Sequence, residues 1–135
     1  MRLVDTNVLH HAASTAEDER DKRERALAIL EDEDLCLSVQ VLQEFYAPFT
    51  RASRRDRLEH DQACALVEAW LRFPAVEITV SLVRDAIAAA KRWRTSYWDA
   101  AIVEAAREAG CAVLLSEDLQ DGMDFDGVTV VNPFA

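Results

Sequence analysis

Glycine is scarce in this chain, three among 135 residues. That leaves no glycine-rich cradle for nucleotide phosphates, and neither G-x-x-x-x-G-K-[ST] nor G-x-S-x-G occurs. The three cysteines, Cys36, Cys64 and Cys111, are odd in number and far apart, with no C-x-x-C, which removes zinc and redox motifs. Each lies among apolar residues and is expected to pack as a small hydrophobe. His10, His11 and His60 lack ligand spacing and are expected at the surface or partly buried. No apolar run reaches the ~20 residues a bilayer span needs. An acid at position five leaves no signal-peptide core, so a cytoplasmic protein without membrane contact is expected. Positive charge is also short: 15 Lys and Arg stand against 25 Asp and Glu, a net −10. That balance argues against adhesion to nucleic acid through bulk charge.

Half of the residues are hydrophobic, enough for a core, and the length fits one domain over residues 1–135. Arg2–Asp5 reads as a short strand and Asn7–Ala13 as a short helix. A polar connection, Ser14–Asp21, leads to an amphipathic helix, Lys22–Glu33. Leu35–Ser38 is a second strand, followed by a helix over Val39–Ala52 that Pro48 should bend or interrupt. Arg54–Arg57 forms a hinge. Leu58–Phe73 is a helix closed by Pro74, Val76–Val80 a third strand and Ser81–Arg94 an alanine-rich helix. Ser96 caps a last helix, Tyr97–Ala109, which Gly110 ends. Ala112–Leu115 is a fourth strand, Glu117–Gly127 an acidic loop and Val128–Val131 a fifth strand. Strands that alternate with helices and run continuously apolar predict an α/β fold with a parallel sheet covered on both faces.

In such sheets ligands bind beyond the carboxyl ends of the strands. Four acids fall at that edge. Asp5 and Asp118 directly follow strands one and four, Glu44 lies in the helix after strand two, and Asp99 lies in the first turn of the helix before strand four. Each has a plainer reading: Asp5 as an N-cap, Asp99 as half of a capping box with Ser96, Glu44 as a solvent-facing helix residue, Asp118 as a turn residue. Jointly they form a carboxylate set that is costly to gather unless a cation joins it, and oxygen ligands suit Mg²⁺ or Mn²⁺. Arg51, Arg54, Arg55 and Arg57 make one basic cluster and Lys91, Arg92 and Arg94 another. A basic rim around an acidic centre suits a phosphodiester; the alternative is solvated helix faces of mixed charge. The loop Asp121–Gly127 fails as an EF-hand, since Gly122 and Pro133 occupy ligand positions. Asp124 is not expected to contribute, and Glu117 can face either way.

Val4-Asp5-Thr6-Asn7-Val8-Leu9, Glu44, Tyr97-Trp98-Asp99-Ala100 and Leu115-Ser116-Glu117-Asp118 resemble, in order and over the whole chain, the motif set of PIN domains. The form is similar to VapC-type toxins of bacterial type II toxin–antitoxin modules, as is the closing segment Gly127–Phe134. The resemblance implies a three-layer α/β/α fold with a central parallel five-stranded sheet in the order 3-2-1-4-5. It implies an endoribonuclease dependent on Mg²⁺ or Mn²⁺, which cleaves RNA by metal-activated water and leaves 5′-phosphate and 3′-hydroxyl ends. Carried over by position, Asp5, Glu44, Asp99 and Asp118 are the catalytic metal ligands, while Asn7, Ser116 and, more weakly, Thr6 orient carboxylates or waters. A VapB-like antitoxin is implied as partner, with Phe45, Tyr46, Phe49, Trp70 and Leu71 as candidate groove surface, some of them alternatively core, and a homodimer as the assembly. The alternative is a catalytically silent PIN-like binding module, against which the intact acidic quartet speaks. A phosphatase would want Asp-x-Asp where Asp5-Thr6-Asn7 stands, and a receiver a Lys where Asn132-Pro133 follows the last strand.

Overall fold

The computed structural model describes residues 1–135. Five strands, β1 (Arg2–Val4), β2 (Leu35–Ser38), β3 (Ala75–Val76), β4 (Val113–Leu115) and β5 (Thr129–Val131), form one parallel sheet in the order β3-β2-β1-β4-β5. Leu3 pairs with Cys36 on one side and Leu114 on the other, so β1 is central, and all three side chains are buried. The chain reverses direction across the sheet between β1 and β4, where a crevice opens at the carboxyl edge.

Six α-helices cover the sheet: α1 (Thr6–Ala13), α2 (Arg20–Ile29), α3 (Val39–Phe49), α4 (His60–Trp70), α5 (Val80–Trp93) and α6 (Tyr97–Glu108). α1 packs on α2 and α3, and α3 on α4, while α5 packs on α6, giving a helical layer on each face. The expected α/β/α architecture and strand order are those observed. Phe45 and Phe49, one turn apart on α3, stack at 5.1 Å between centroids, and Trp70 meets Phe45 edge-on at 4.7 Å. These rings anchor α3 and α4 to the apolar centre.

Local chemistry fixes the helix ends near the crevice. Asp5, directly after β1, and Ser38, the last residue of β2, cap α1 and α3 through Thr6 N–H (2.7 Å) and Val41 N–H (3.3 Å). Thr79 and Ser96 cap α5 and α6 in the same way. Gly110 ends α6 with φ of 75°, a left-handed conformation that costs glycine little. Cys111 N–H reaches Ala106 O and Gly110 N–H reaches Arg107 O, the two bonds of a Schellman cap.

Several boundaries differ from expectation. The third strand is Ala75–Val76 and not Val76–Val80: Ile78 and Val80 are exposed, and the Thr79 cap turns the chain into α5. α2 starts two residues earlier, after a short 3-10 turn at Glu17–Glu19 inside the supposed polar connection, and stops at Ile29. α4 is shorter at both ends, because Gln62 folds back onto Glu59 N–H and starts it late. α3 stops at Phe49, and Pro48 sits in its last turn, where it removes the helical donor for the Glu44 carbonyl. No helix is long and apolar enough to cross a membrane.

Candidate functional site

A cleft of about 740 Å³ opens at the carboxyl edge of the sheet, and Asp5, Glu44, Asp99 and Asp118 all line it. They arrive from four places: the end of β1, the middle of α3, the first turn of α6 and the loop after β4. The fold therefore brings together all four acids singled out in the sequence.

Asp5 is the most constrained. It is 8 % exposed, and its Oδ1 accepts from Thr6 N–H while Oδ2 accepts from the Ser116 hydroxyl at 2.7 Å and, more weakly, from Asn7 Nδ2 at 3.5 Å. Burial pushes its pKa up to about 6; the bonds from Ser116 and Thr6 oppose that, and the charges of Asp118 and Glu44 add to it. Its capping role and its place in the cleft are the same geometry, because a helix that starts at the strand end starts at the crevice.

Ser116, fully buried, is the hub. It donates to Asp5, and its oxygen accepts from Asn7 Nδ2 (3.3 Å) and Asp118 N–H (3.2 Å). Asn7 also donates to Asp118 Oδ2 at 3.3 Å, and its Oδ1 accepts from Glu117 N–H at 3.4 Å. One serine and one amide thus hold two like-charged side chains in a fixed relation. Thr6 plays the corresponding part for Glu44, donating to Oε1 at 3.0 Å. Gln40, one turn before Glu44, donates to the same oxygen and to Trp98 O, each at 3.3 Å, and so ties α3 to α6. Asp99 differs: Ser96 accepts from its backbone N–H at 3.1 Å, but its half-buried carboxylate has no hydrogen-bond partner in the protein. Only half of the expected capping box is made.

Glu117 turns aside from Asp118. Its two oxygens accept from His11 Nε2 and from Lys22 Nζ, and those partners outweigh burial and hold its pKa low. Asp124 caps Gly127 N–H at 2.8 Å and does not line the cleft.

Of the histidines, expected at the surface or partly buried, His60 is exposed and His10 half-buried, while His11 is buried. His11 is 7 % exposed, bridges Glu19 and Glu117, and is met edge-on by Phe134. His10 packs on Phe49, and its Nε2–H donates to Glu44 O at 3.0 Å. Pro48 has no N–H for that carbonyl one turn back, and His10 fills the gap. Burial, helped by Arg54 and His11, depresses the His10 pKa, in keeping with a neutral ring that donates. Both histidines follow Asn7 at helical spacing, the signal by which they were recognisable. Cys36 and Cys111 are buried as expected, and Cys64 lies half-buried against His60.

The basic rim is far thinner than the clusters implied. Arg54 is the only Arg or Lys lining the cleft. Arg55 pairs with Asp18, Arg57 with Glu59, and Arg92 with Asp126. The groove candidates also divide. Phe45, Phe49 and Trp70 belong to the core; Leu71 is exposed elsewhere; Tyr46 does line an apolar groove between α3 and α4, with Val39, Leu42, Ala47, Cys64 and Val67. Gln43 and Ala47 border both the groove and the cleft, so the two are contiguous.

The donor set is all oxygen, with raised proton affinity at Asp5 and an unpaired carboxylate at Asp99. That chemistry fits a hard divalent cation, although no three acidic, His or Cys side chains already stand together as a closed metal cluster.

A parallel α/β sheet with an acid-lined cleft at its switch point defines a broad class, and comparison narrows it. Residues 2–122 match the PIN domain, and the chain belongs to that family. Among solved structures it is similar to a toxin–antitoxin complex from Klebsiella pneumoniae (20 % identity, 99 % of this chain and 98 % of that one, TM-score 0.72). It is also similar to VapC20 of Mycobacterium tuberculosis, described as a Sarcin-Ricin loop cleaving toxin (18 %, 84 % and 87 %, TM-score 0.66). A third is FitAcB from Neisseria gonorrhoeae (20 %, 99 % of each chain, TM-score 0.65). At these identities the likeness is one of fold. No curated protein matches the chain in sequence.

Proposed function

We propose that this protein is a metal-dependent endoribonuclease and the toxin of a VapBC-type module. The observation that carries the reading is the convergence of Asp5, Glu44, Asp99 and Asp118, from four separate elements, on one cleft. Membership of the PIN family and a fold shared with toxins, one of them described as cleaving the Sarcin-Ricin loop, support it.

In this reading Asp5, Glu44, Asp99 and Asp118 hold Mg²⁺ or Mn²⁺. When bound, such a cation supplies an activated water and offsets charge on the leaving oxygen. Ser116 and Asn7 set the separation of Asp5 and Asp118, and Thr6 orients Glu44. A cation beside Asp5 would offset the burial that raises its pKa, so that the carboxylate would be held charged as a ligand. The braced side chains of Asp5, Glu44 and Asp118 keep their part of the site in one geometry, so little rearrangement there accompanies substrate arrival.

The partner is a VapB-like antitoxin. The groove beside Tyr46 offers apolar surface to a helix or extended segment, and its continuity with the cleft lets one ligand reach the carboxylates. The reading takes residues 1–135 as one domain, working in the cytoplasm as a homodimer.

The test is incubation of purified protein with total cellular RNA in Mg²⁺, Mn²⁺ or EDTA, beside an Asp99→Asn control. Discrete fragments that need metal and vanish in the variant are expected. No cleavage by folded, antitoxin-free protein in any metal would turn the reading toward a silent binding module.

A further inference from the structure

The cleft holds six carboxylates, those of Asp5, Glu19, Glu44, Asp99, Glu117 and Asp118, and one guanidinium. That guanidinium is fixed on two sides. Arg54 Nε donates to Asp56 Oδ1 at 2.7 Å, and Asp56 Oδ2 accepts from the buried Ser14 hydroxyl, also at 2.7 Å. Its Cζ lies 3.8 Å from the centroid of Phe49, a fully buried ring of α3. The remaining edge, Nη1 and Nη2, has no hydrogen bond within the protein, and the side chain keeps 28 % of its surface. Burial raises the Asp56 pKa, but Ser14 and Arg54 outweigh it, so the carboxylate stays charged and keeps its hold.

A purely structural role would use that edge differently. Arg107 gives its nitrogens to Glu104, Phe125 O and Asp126 O, and Arg72 gives both Nη atoms to carbonyls of Ala69 and Leu30. Arg54 alone is clamped through Nε and one face while its two-nitrogen fork is left to the cleft. A preorganised fork in a cleft that is otherwise anionic matches the paired oxygens of a phosphate.

We propose that Arg54 seats the RNA, its free fork taking the non-bridging oxygens of one backbone phosphate in the cleft that holds the carboxylates. The assignment rests on the ribonuclease reading above and names the group that overcomes repulsion between substrate and site. Arg54 is a substrate-positioning residue, with Asp56 and Ser14 as its brace.

The experiment measures the affinity of a fluorescein-labelled single-stranded RNA for Asp99→Asn protein across a salt series, with and without Arg54→Gln. Steady-state cleavage by the otherwise wild-type chain is followed alongside. Loss of one phosphate contact should reduce the slope of log Kd against log salt by about 0.7. Affinity should fall roughly tenfold to hundredfold, and the loss of kcat/KM should lie in KM. Arg54→Lys should restore the slope without the full affinity, since an ammonium has no fork. If Arg54→Gln does not fold, Asp56→Asn carries the test: affinity must fall while the slope holds, and unchanged affinity overturns the assignment. Unchanged slope and KM in folded Arg54→Gln, where wild-type protein cleaves, overturns it as well. So does normal RNA cleavage with weakened antitoxin binding, which would make Arg54 a partner contact. Wild-type protein that neither binds nor cleaves RNA overturns the ribonuclease reading, and the assignment falls with it.

Discussion

Asp5 accepts three hydrogen bonds and is almost fully buried, whereas the carboxylate of Asp99, across the same cleft, accepts none and is half-exposed. One end of the site is braced by Ser116 and Asn7; the other hangs from a helix cap that holds only the backbone. Bracing fixes position at an electrostatic cost, visible in the raised pKa of Asp5. The unbraced end costs the fold little and leaves a carboxylate free to adjust to what binds. Function and stability should therefore separate cleanly at Asp99 and be entangled at Asp5.

The largest expected effect is on activity. Asp99→Asn should reduce RNA cleavage to background in a gel assay, yet change unfolding free energy by no more than about 0.5 kcal/mol, as for an unburdened surface position. A large loss of stability would mean that Asp99 is a structural cap after all. Asp5→Asn should also abolish cleavage, but with a pH signature. A carboxyl whose folded pKa is raised adds stability that is complete below its unfolded value of 3.8 and is lost as pH rises through about 6. Metal-free wild-type protein should therefore weaken across that window, by about 3 kcal/mol for two pKa units, while Asp5→Asn should not. Denaturant titrations from pH 4 to 8 measure the difference, and parallel curves would remove the buried-charge argument.

Cation binding should then close the gap. Mn²⁺ or Mg²⁺ at a hundred times its Kd should stabilise the wild-type chain by about 2.7 kcal/mol, and thermal melts of Asp5→Asn and Asp99→Asn should respond much less. The smallest effect tests the bracing of Glu44. His10→Ala strands the Glu44 carbonyl and should cost roughly 1–3 kcal/mol. In a Pro48→Ala background the restored N–H can take that carbonyl, so the cost of His10→Ala should shrink. A double-mutant cycle with no coupling would show that the two groups do not share it.

Legibility in the sequence followed the range of the interactions. Asp5 and Asp118 are readable because Asp5 directly follows one apolar run and Asp118 lies three residues past another, and strand ends in a parallel sheet mark the ligand edge. Ser116, Asn7 and Thr6 came from resemblance, and their bonds depend on β4 lying beside β1, which pairing alone decides. Phe45 and Phe49 suit a groove or a core by pattern alone, since i, i+4 spacing cannot say what faces it, and the structure places both in the core. The third strand is shorter than its apolar run because Ile78 and Val80 are unpaired, with Thr79 between them starting a helix. Gln40 sits one turn from Glu44, a local clue. Arg54, in the segment after α3, had none: three neighbouring arginines share its composition, and only tertiary packing selects it.

Ser116 and Asp118 follow Asp5, Glu44 and Asp99 along the chain. During synthesis the first three acids are made long before the serine that sets Asp5 and the fourth acid that completes the set. A growing chain therefore carries a dispersed collection of carboxylates and no cleft wall from β4. Order of synthesis alone therefore delays the completed site until β4 and the loop that follows it have been made.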